Sequence, residues 1–442
     1  MKVAVLGYGL QGQSAAKYWH LAGNQITICD QNINIVVPDW ANSKLGSEHL
    51  NNLDEFDLIV RSPVIHPSII INANDQTILG KVTTTTNEFF KVCPSKNIIG
   101  VTGTKGKGTT STLISKILEA SGKIVHLGGN IGLDPLLLLE NNIQPEDWVV
   151  LELANFQLID LQYSPHIAVC LMVVPEHQDW HESPKDYYES KKQMFSYQDL
   201  DDIAIYNAKN DMSTEIANCS GGKMIPYSVP KAGSLESLEK GAYVYGESIM
   251  YNDTFICKIN EVELLGRHNL ENICASLAVV WQITGPEKLN EIKETIKNFK
   301  GLEHRLEYLG EKFGIKYYND SFATTPEATI AAIRAIKLPT ILILGGSDKG
   351  SEYFSLINEI VNSNVKRVIA IGDTGPYLSE KLRERGFNNV TTGGNTMEDI
   401  VSKAQSFAIA GDVILLSTAC ASFGLFKNYK DRGEQFKQFL QK

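Results

Sequence analysis

A lysine set among glycines carries the clearest chemistry in this chain, in Val101-Thr-Gly-Thr-Lys-Gly-Lys107-Gly-Thr-Thr110. Backbone N–H groups of such a turn, and those at the start of a following helix, converge on an anion that the helix dipole also favours. Lys107 adds a point charge for the outer phosphates of a nucleoside triphosphate. Thr104, Lys105, Gly106, Gly108 and Thr109 complete the cradle. Gly108 stands where a Mg²⁺-binding hydroxyl usually follows the lysine, so Thr109 or water must supply that oxygen. A second motif, Gly7-Tyr-Gly9-Leu10-Gln11-Gly12, has Asp30 about twenty positions on. That is a dinucleotide-type fingerprint, suited to a nucleotide or a nucleotide-sugar diphosphate. Polar groups also close several apolar runs. Glu152 follows Trp148–Leu151, Pro175-Glu-His177-Gln-Asp179 follows Ile167–Val174, and Asn207 follows Ile203–Tyr206. Strand carboxyl ends are where an open α/β sheet keeps its ligand.

The elements that must hold these residues fall into three α/β segments, 1–93, 94–298 and 299–442. The first opens with a strand at Val3–Leu6, a helix ending at Gly23 and a strand at Gln25–Cys29. The second sets the glycine turn between the strand near Ile98 and a helix from Thr109 to Ala120. Its other strands read as continuous apolar runs, as a parallel sheet covered on both faces requires. Residues 212–265 read as a peripheral antiparallel patch, followed by a helix from Leu270 to Ile283. The third segment alternates strands at Ile315, Thr340, Val368 and Val413 with helices, one with Pro326 at its first position. The fold class is therefore α/β: a Rossmann-like domain, a central phosphate-loop ATPase-type parallel sheet, and a second Rossmann-like domain. That order suggests a ligase, with one nucleotide-like substrate in the first domain and ATP in the second.

Bulk composition narrows the classes. A chain of 442 residues exceeds one core, and 21% charged residues with 43% hydrophobic is ordinary globular usage. A net charge of −10 excludes a general nucleic-acid binder. Seven cysteines without a CxxC pair suit thiols in a reducing cytoplasm. No apolar run is long enough for a membrane span, and Met1-Lys-Val-Ala-Val-Leu6 leads straight into a strand with no signal peptide.

Further motifs stand in one order: Gly128-Gly-Asn130-Ile-Gly132, Glu152-Leu-Ala-Asn-Phe-Gln157, Gly266-Arg-His-Asn269-Leu-Glu-Asn272, His304-Arg305, Asn319-Asp320-Ser321 and Ser417-Thr-Ala-Cys-Ala-Ser422. With the glycine turn, they resemble the Mur ligase family along the whole chain. These are ATP-dependent amide-forming enzymes of peptidoglycan precursor synthesis. The run Phe426-Lys-Asn-Tyr429-Lys-Asp-Arg432-Gly433 is similar to the branch that adds D-glutamate to UDP-N-acetylmuramoyl-L-alanine. The resemblance implies an acyl phosphate made from ATP, then attack by the amino acid. Both steps gather anions, and two unit charges about 4 Å apart repel by roughly 4 kcal/mol at an effective dielectric of 20. The roles implied are these. Lys107 holds the β/γ-phosphates, and Arg305 stabilises the transferring phosphoryl group. Glu152, His177, Thr109 and a carbamylated Lys192 hold two Mg²⁺. Asn269 and Asn272 face the adenine and Asp320 the ribose. Gly7, Gly9, Leu10, Gln11, Gly12, Asp30, Asn130, Gln157 and His177 take the UDP-substrate. Thr324, Lys349, Ser422 and Tyr429 take D-glutamate. A monomer is expected.

The chain departs from that pattern at four places. These are Gly108, Ala154-Asn155 in place of two serines, Met172 and Glu176 in place of Asn and Asp, and Phe322 where the branch often has Lys. A Mur-type ligase for another amino acid, or a catalytically decayed homologue, is the alternative. Lys192 stands fifteen residues after His177 and four after Tyr188, the family's spacing for its carbamate. Helical phase does not choose between Lys191 and Lys192, because both have aromatic or apolar neighbours at i−4 and i+3.

Overall fold

The computed structural model describes residues 1–176, 180–231, 234–238, 240–264, 266–347 and 351–441. It contains three sheets, divided between two compact units: Met1–Val262 with Leu270–Lys297, and Glu263–Asn269 with Asn298–Lys442.

The first unit holds two sheets. The N-terminal one has five parallel strands in the order Asn42–Leu45, Gln25–Asp30, Lys2–Leu6, Leu58–Arg61 and Val82–Thr83. The larger has nine strands. Lys223–Ser228, Ile203–Asn207, Ile167–Cys170, Ile98–Thr102, Trp148–Glu152 and Val125–Gly129 run parallel. Ala242–Tyr245, Ser248–Tyr251 and Thr254–Lys258 add a meander at its edge. The Ile98–Thr102 strand is buried at every position, which is why it carries no polar alternation. Two expectations change here. Residues 211–217 form a helix and Lys223–Ser228 continues the parallel sheet, so only the last three strands are an antiparallel patch. The apolar run from Ile167 pairs only as far as Cys170. Its second half is tied to the glycine turn instead, with Thr104 N–H donating to Met172 O at 2.9 Å and Thr104 Oγ1 donating to Val174 O at 2.9 Å.

The two sheets of this unit are joined by buried polar ties. Arg61, at the end of its strand, is 1% exposed; its Nε and Nη2 reach the two Asp160 oxygens at 2.7 and 2.6 Å. Nη2 also donates to Phe156 O at 3.0 Å and Nη1 to Ile65 O at 2.8 Å. Asp134 accepts from Ser14 Oγ at 2.8 Å and Thr85 Oγ1 at 3.2 Å, and burial raises its pKa.

The second unit is a six-stranded sheet in the order Glu307–Lys312, Ile315–Asn319, Val413–Leu416, Thr340–Gly345, Val365–Ile371 and Val390–Thr392. The first pair is antiparallel and the rest parallel. Pro326 occupies the first turn of the helix Pro326–Ala335, as expected. All seven cysteines are free thiols. Among the described residues no helix is long and apolar enough to cross a membrane.

Candidate active site

The glycine turn is built by sterics. Gly103 has φ +145°, and a Cβ there would stand 2.6 Å from Leu171 Cβ. Gly106 has φ +92°, and its Cβ would meet Asn272 Oδ1 at 2.2 Å. Only glycine permits either path. The helix Lys107–Ala120 starts directly after, so its first N–H groups face the turn. Lys107 folds back over the turn, with Nζ donating to Gly103 O and Thr104 O at 3.0 Å. Thr102 Oγ1, at the turn's entrance, is buried without a partner in the structure, and Thr109 is 5% exposed in the first helical turn. Curved backbone donors, a lysine and an orphaned hydroxyl fit a polyphosphate. Asn272 approaches this loop, with Thr110 Oγ1 donating to its Oδ1 at 3.3 Å. That places its amide against the phosphate loop. Asn269 is buried one turn earlier on the same helix, Arg267–Thr284.

Glu152 ends its strand in register with Val101 of the adjoining strand, so its carboxylate stands at the sheet edge that bears the glycine turn. Asn130 Nδ2 donates to Glu152 Oε1 at 2.7 Å. Gly129 makes this possible, because a Cβ there would lie 2.2 Å from Glu152 O. A carboxylate at a strand end beside the glycine turn is a hard oxygen donor, which fits Mg²⁺. Gln157 lies on the following turn and is 1% exposed. Its Oε1 accepts from Ala154 N at 3.0 Å, while its Nε2 is buried without a partner.

The two lysines are resolved by their helix, Pro184–Lys192, which Ser183 caps by accepting from Asp186 N. Lys192 points outward into ion pairs with Glu189 and Glu215, both at 2.9 Å, and these raise its pKa. Lys191 is fully buried, 4.4 Å over the Tyr187 ring, with Nζ 3.4 Å from Gly103 O. Burial first, and then the Lys107 charge, push its amine down to about 7. Lys191, not Lys192, therefore reaches the phosphate loop, and the expectation for Lys192 is corrected. Thr104 Oγ1 and Tyr187 OH share a hydrogen bond of 2.8 Å, which fixes Lys191's ring platform to the same loop.

In the first sheet, Gly7 has φ +82° and a Cβ at Gly12 would lie 1.9 Å from Gly7 O. Asp30 braces the turn by accepting from Tyr8 N at 2.7 Å and Asn32 N at 2.8 Å. Gly9, Leu10 and Gln11 start the helix Leu10–Leu21, with Leu10 exposed. Nearby, His66, His181 and Asp186 approach each other like metal ligands. Their hydrogen bonds argue otherwise. Ser68 N donates to His66 Nδ1 at 3.2 Å, leaving Nε2 as the protonated nitrogen that donates to Asp186 at 3.2 Å. His181 Nδ1 donates to the same oxygen at 2.6 Å and its Nε2 accepts from Asn155 at 2.6 Å. Asn155, one of the departures from two serines, thus has a structural partner in His181.

The second unit gathers Arg305, Asp320, Phe322, Ser422 and Tyr429. Asp320 is 5% exposed, accepts from Ser417 Oγ at 2.7 Å and Leu306 N at 3.0 Å, and is pushed up to about 7 by burial. Both oxygens brace local structure. Ser321 Oγ donates to Tyr429 O at 2.7 Å, and buried Arg432 donates to Ser321 Oγ at 2.9 Å and Cys420 O at 3.3 Å. Burial lowers the Arg432 pKa to about 10. Ser422 is buried and Thr324 half-buried. His177 and Lys349 lie outside the described residues.

Three α/β sheets with a lysine-bearing phosphate loop at the middle one define a multidomain protein of the phosphate-loop class. Residues 101–280 match the Mur ligase middle domain, and residues 304–420 match the Mur ligase, glutamate ligase domain. The UDP-N-acetylmuramoylalanine--D-glutamate ligase of Clostridium tetani is 34% identical over 99% of this chain and 96% of its own length. The enzyme of that name from Acetivibrio thermocellus is 35% identical over the same shares. Among solved structures, UDP-N-acetylmuramate-alanine ligase from Thermotoga maritima superimposes with a TM-score of 0.60 at 16% identity, covering 100% of this chain and 99% of that one. The MurF ligase from Thermotoga maritima in complex with ADP gives 0.58 at 19% identity, over 99% and 94%. The chain belongs to the Mur ligase family.

Proposed function

We propose that this protein is the ligase that joins D-glutamate to UDP-N-acetylmuramoyl-L-alanine at the expense of ATP, in the cytoplasm. The observation that carries this reading is the single loop face where Lys107, Lys191 and the strand end bearing Glu152 meet. Full-length identity to two ligases of that name supports the substrates. The three segments 1–93, 94–298 and 299–442 would be the UDP-substrate, ATP and amino-acid domains.

In this reading Lys107 and the helix N–H groups hold the phosphates while the substrate carboxylate attacks the γ-phosphorus. ADP leaves and an acyl phosphate forms. The D-glutamate amine then attacks the acyl carbon, expelling phosphate and losing a proton. Arg305 neutralises charge on the transferring phosphoryl group. Mg²⁺, held by Glu152 and Thr109, would draw charge from the phosphate oxygens. Lys191 takes over the role the resemblance gave to Lys192: its neutral amine adds CO₂, releases a proton and becomes an anionic carbamate facing the loop. His177 and Lys349 keep their proposed parts, toward the acyl phosphate and one amino-acid carboxylate. Asn269 and Asn272 line the nucleotide site. Gly7 to Gly12, Asp30, Asn130 and Gln157 shape the UDP-substrate site, and Thr324, Ser422 and Tyr429 the amino-acid site.

Phosphate release from ATP is the test. It should require both UDP-N-acetylmuramoyl-L-alanine and an amino acid, and be fastest with D-glutamate. Faster turnover with L-alanine, glycine or a diamino acid would sink the D-glutamate assignment.

A further inference from the structure

We propose that Phe322 is a positioning residue for Arg305, its ring face holding the guanidinium at the aim the reaction needs. The proposal rests on the reading of Arg305 as the cation for the transferring phosphoryl group. Arg305 sits between two non-glycine residues in the left-handed region, His304 at φ 62° and Leu306 at φ 46°. Such a turn persists only where its surroundings over-determine it. Here Phe322 N donates to His304 O at 2.8 Å, Leu306 N to Asp320 Oδ1 at 3.0 Å and His304 N to Glu307 Oε2 at 2.8 Å. These bonds fix the backbone around Arg305; the aim of its long side chain is a separate matter.

The ring supplies that aim. Arg305 Cζ lies 4.3 Å above the centre of the Phe322 ring. The ring is itself held edge-on by Tyr429, at 5.0 Å and 90°. Tyr429 is anchored in turn through its carbonyl to Ser321 Oγ. A planar guanidinium stacked on an aromatic face keeps its N–H donors in its own plane, clear of the ring. Phe322 is 41% exposed between the buried Ser321 and Ala323, so core packing does not account for an aromatic here. A lysine at this position would set a second cation against Arg305; the ring removes that repulsion and replaces it with a rest.

The test compares F322L, F322A, F322W, F322Y and F322K in the phosphate-release assay, with melting temperatures recorded. F322L and F322A should lower kcat about threefold to fivefold, the size of a part-exposed cation–π contact. The KM values for ATP and the amino acid should stay within about twofold, because no substrate contact is lost. F322W and F322Y should retain wild-type kcat, and F322K should fall below F322L. In an R305A background the F322L change should have no further effect on the residual rate, since the two residues act as one unit. A wild-type kcat in F322L, a rise in amino-acid KM without a fall in kcat, or an undiminished F322L effect in R305A overturns the proposal. Full activity in R305A instead removes the underlying reading of Arg305.

Discussion

The phosphate loop and the Arg305 turn each present a cation, and they are built by opposite means. The loop takes its path from glycines within a few residues, Gly103 and Gly106, where a side chain has no room. The turn adopts left-handed backbone without glycine at His304 and Leu306, and is held by Asp320 and Phe322 from further along the chain as well as by the neighbouring Glu307. A remote glycine bears on it as well: a Cβ at Gly433 would stand 2.2 Å from His304 Nδ1. A site coded locally is exposed to single-residue damage, whereas a site coded by distant contacts loses its aim by degrees.

The largest expected effect is on the loop. Lys107→Ala should cut ATP-dependent phosphate release about a hundredfold or more, the scale for losing one preorganised electrostatic partner. Its melting temperature should stay within about 3 °C, because the side chain lies at the loop surface rather than in the apolar core and its bonds to Gly103 O and Thr104 O are local. Near-normal turnover would mean the loop does not handle the reacting phosphates.

Next comes the lysine pair. Lys191→Ala should lose activity about tenfold or more and a carbamate carbon signal from labelled bicarbonate, and Lys192→Ala should lose neither. A signal that persists in Lys191→Ala would return the assignment to Lys192. Stability gives a second readout. The Lys191 amine is pushed from 10.5 to about 7, so between those values the unfolded chain binds the proton and the folded one does not. Stability from this group therefore rises with pH across that window, and below about 7 its penalty is complete. In CO₂-free buffer, Lys191→Met should raise the melting temperature most near pH 6.5 and least near pH 10. A pH-independent gain would contradict the buried, depressed amine.

Gly106→Ala and Gly433→Ala sharpen the comparison directly. Both should destabilise by about 1–3 kcal/mol, one through strained φ and the other through the His304 ring. Gly106→Ala should weaken nucleotide binding measured by calorimetry, while Gly433→Ala should leave it intact and lower kcat. The reverse pattern would overturn the division of labour. The smallest effect is at Gly108: Gly108→Ser should keep activity and lower the Mg²⁺ concentration needed for half-maximal rate. A higher requirement would show that Thr109 is not the neighbouring oxygen.

The same contrast explains what the sequence made legible. The strand, turn and helix around Lys107 are consecutive, and steric rules for glycine read directly onto the structure. Glu152 was legible as an acid closing an apolar run. Lys191 was not, because the helix ends at Lys192, and Met194 and Phe195, apolar partners in phase with the two lysines, lie beyond it. The apolar run Ile167–Val174 misled for a related reason: its second half is buried by pairing with the loop rather than with a strand. The stack of Arg305 on Phe322 joins residues seventeen apart through a turn that no periodicity announces.

Arg61 has a consequence for heredity. Its guanidinium sits at the end of a strand of the first sheet, but its anion, Asp160, and one of its carbonyls, Phe156, lie in the helix and turn that follow the Trp148–Glu152 strand of the second. A chimaera that took its first ninety or so residues from a relative would inherit one half of a lock without its key, leaving a buried charge unmatched. Exchange of that domain between family members should therefore succeed only when the segment around 155–160 travels with it.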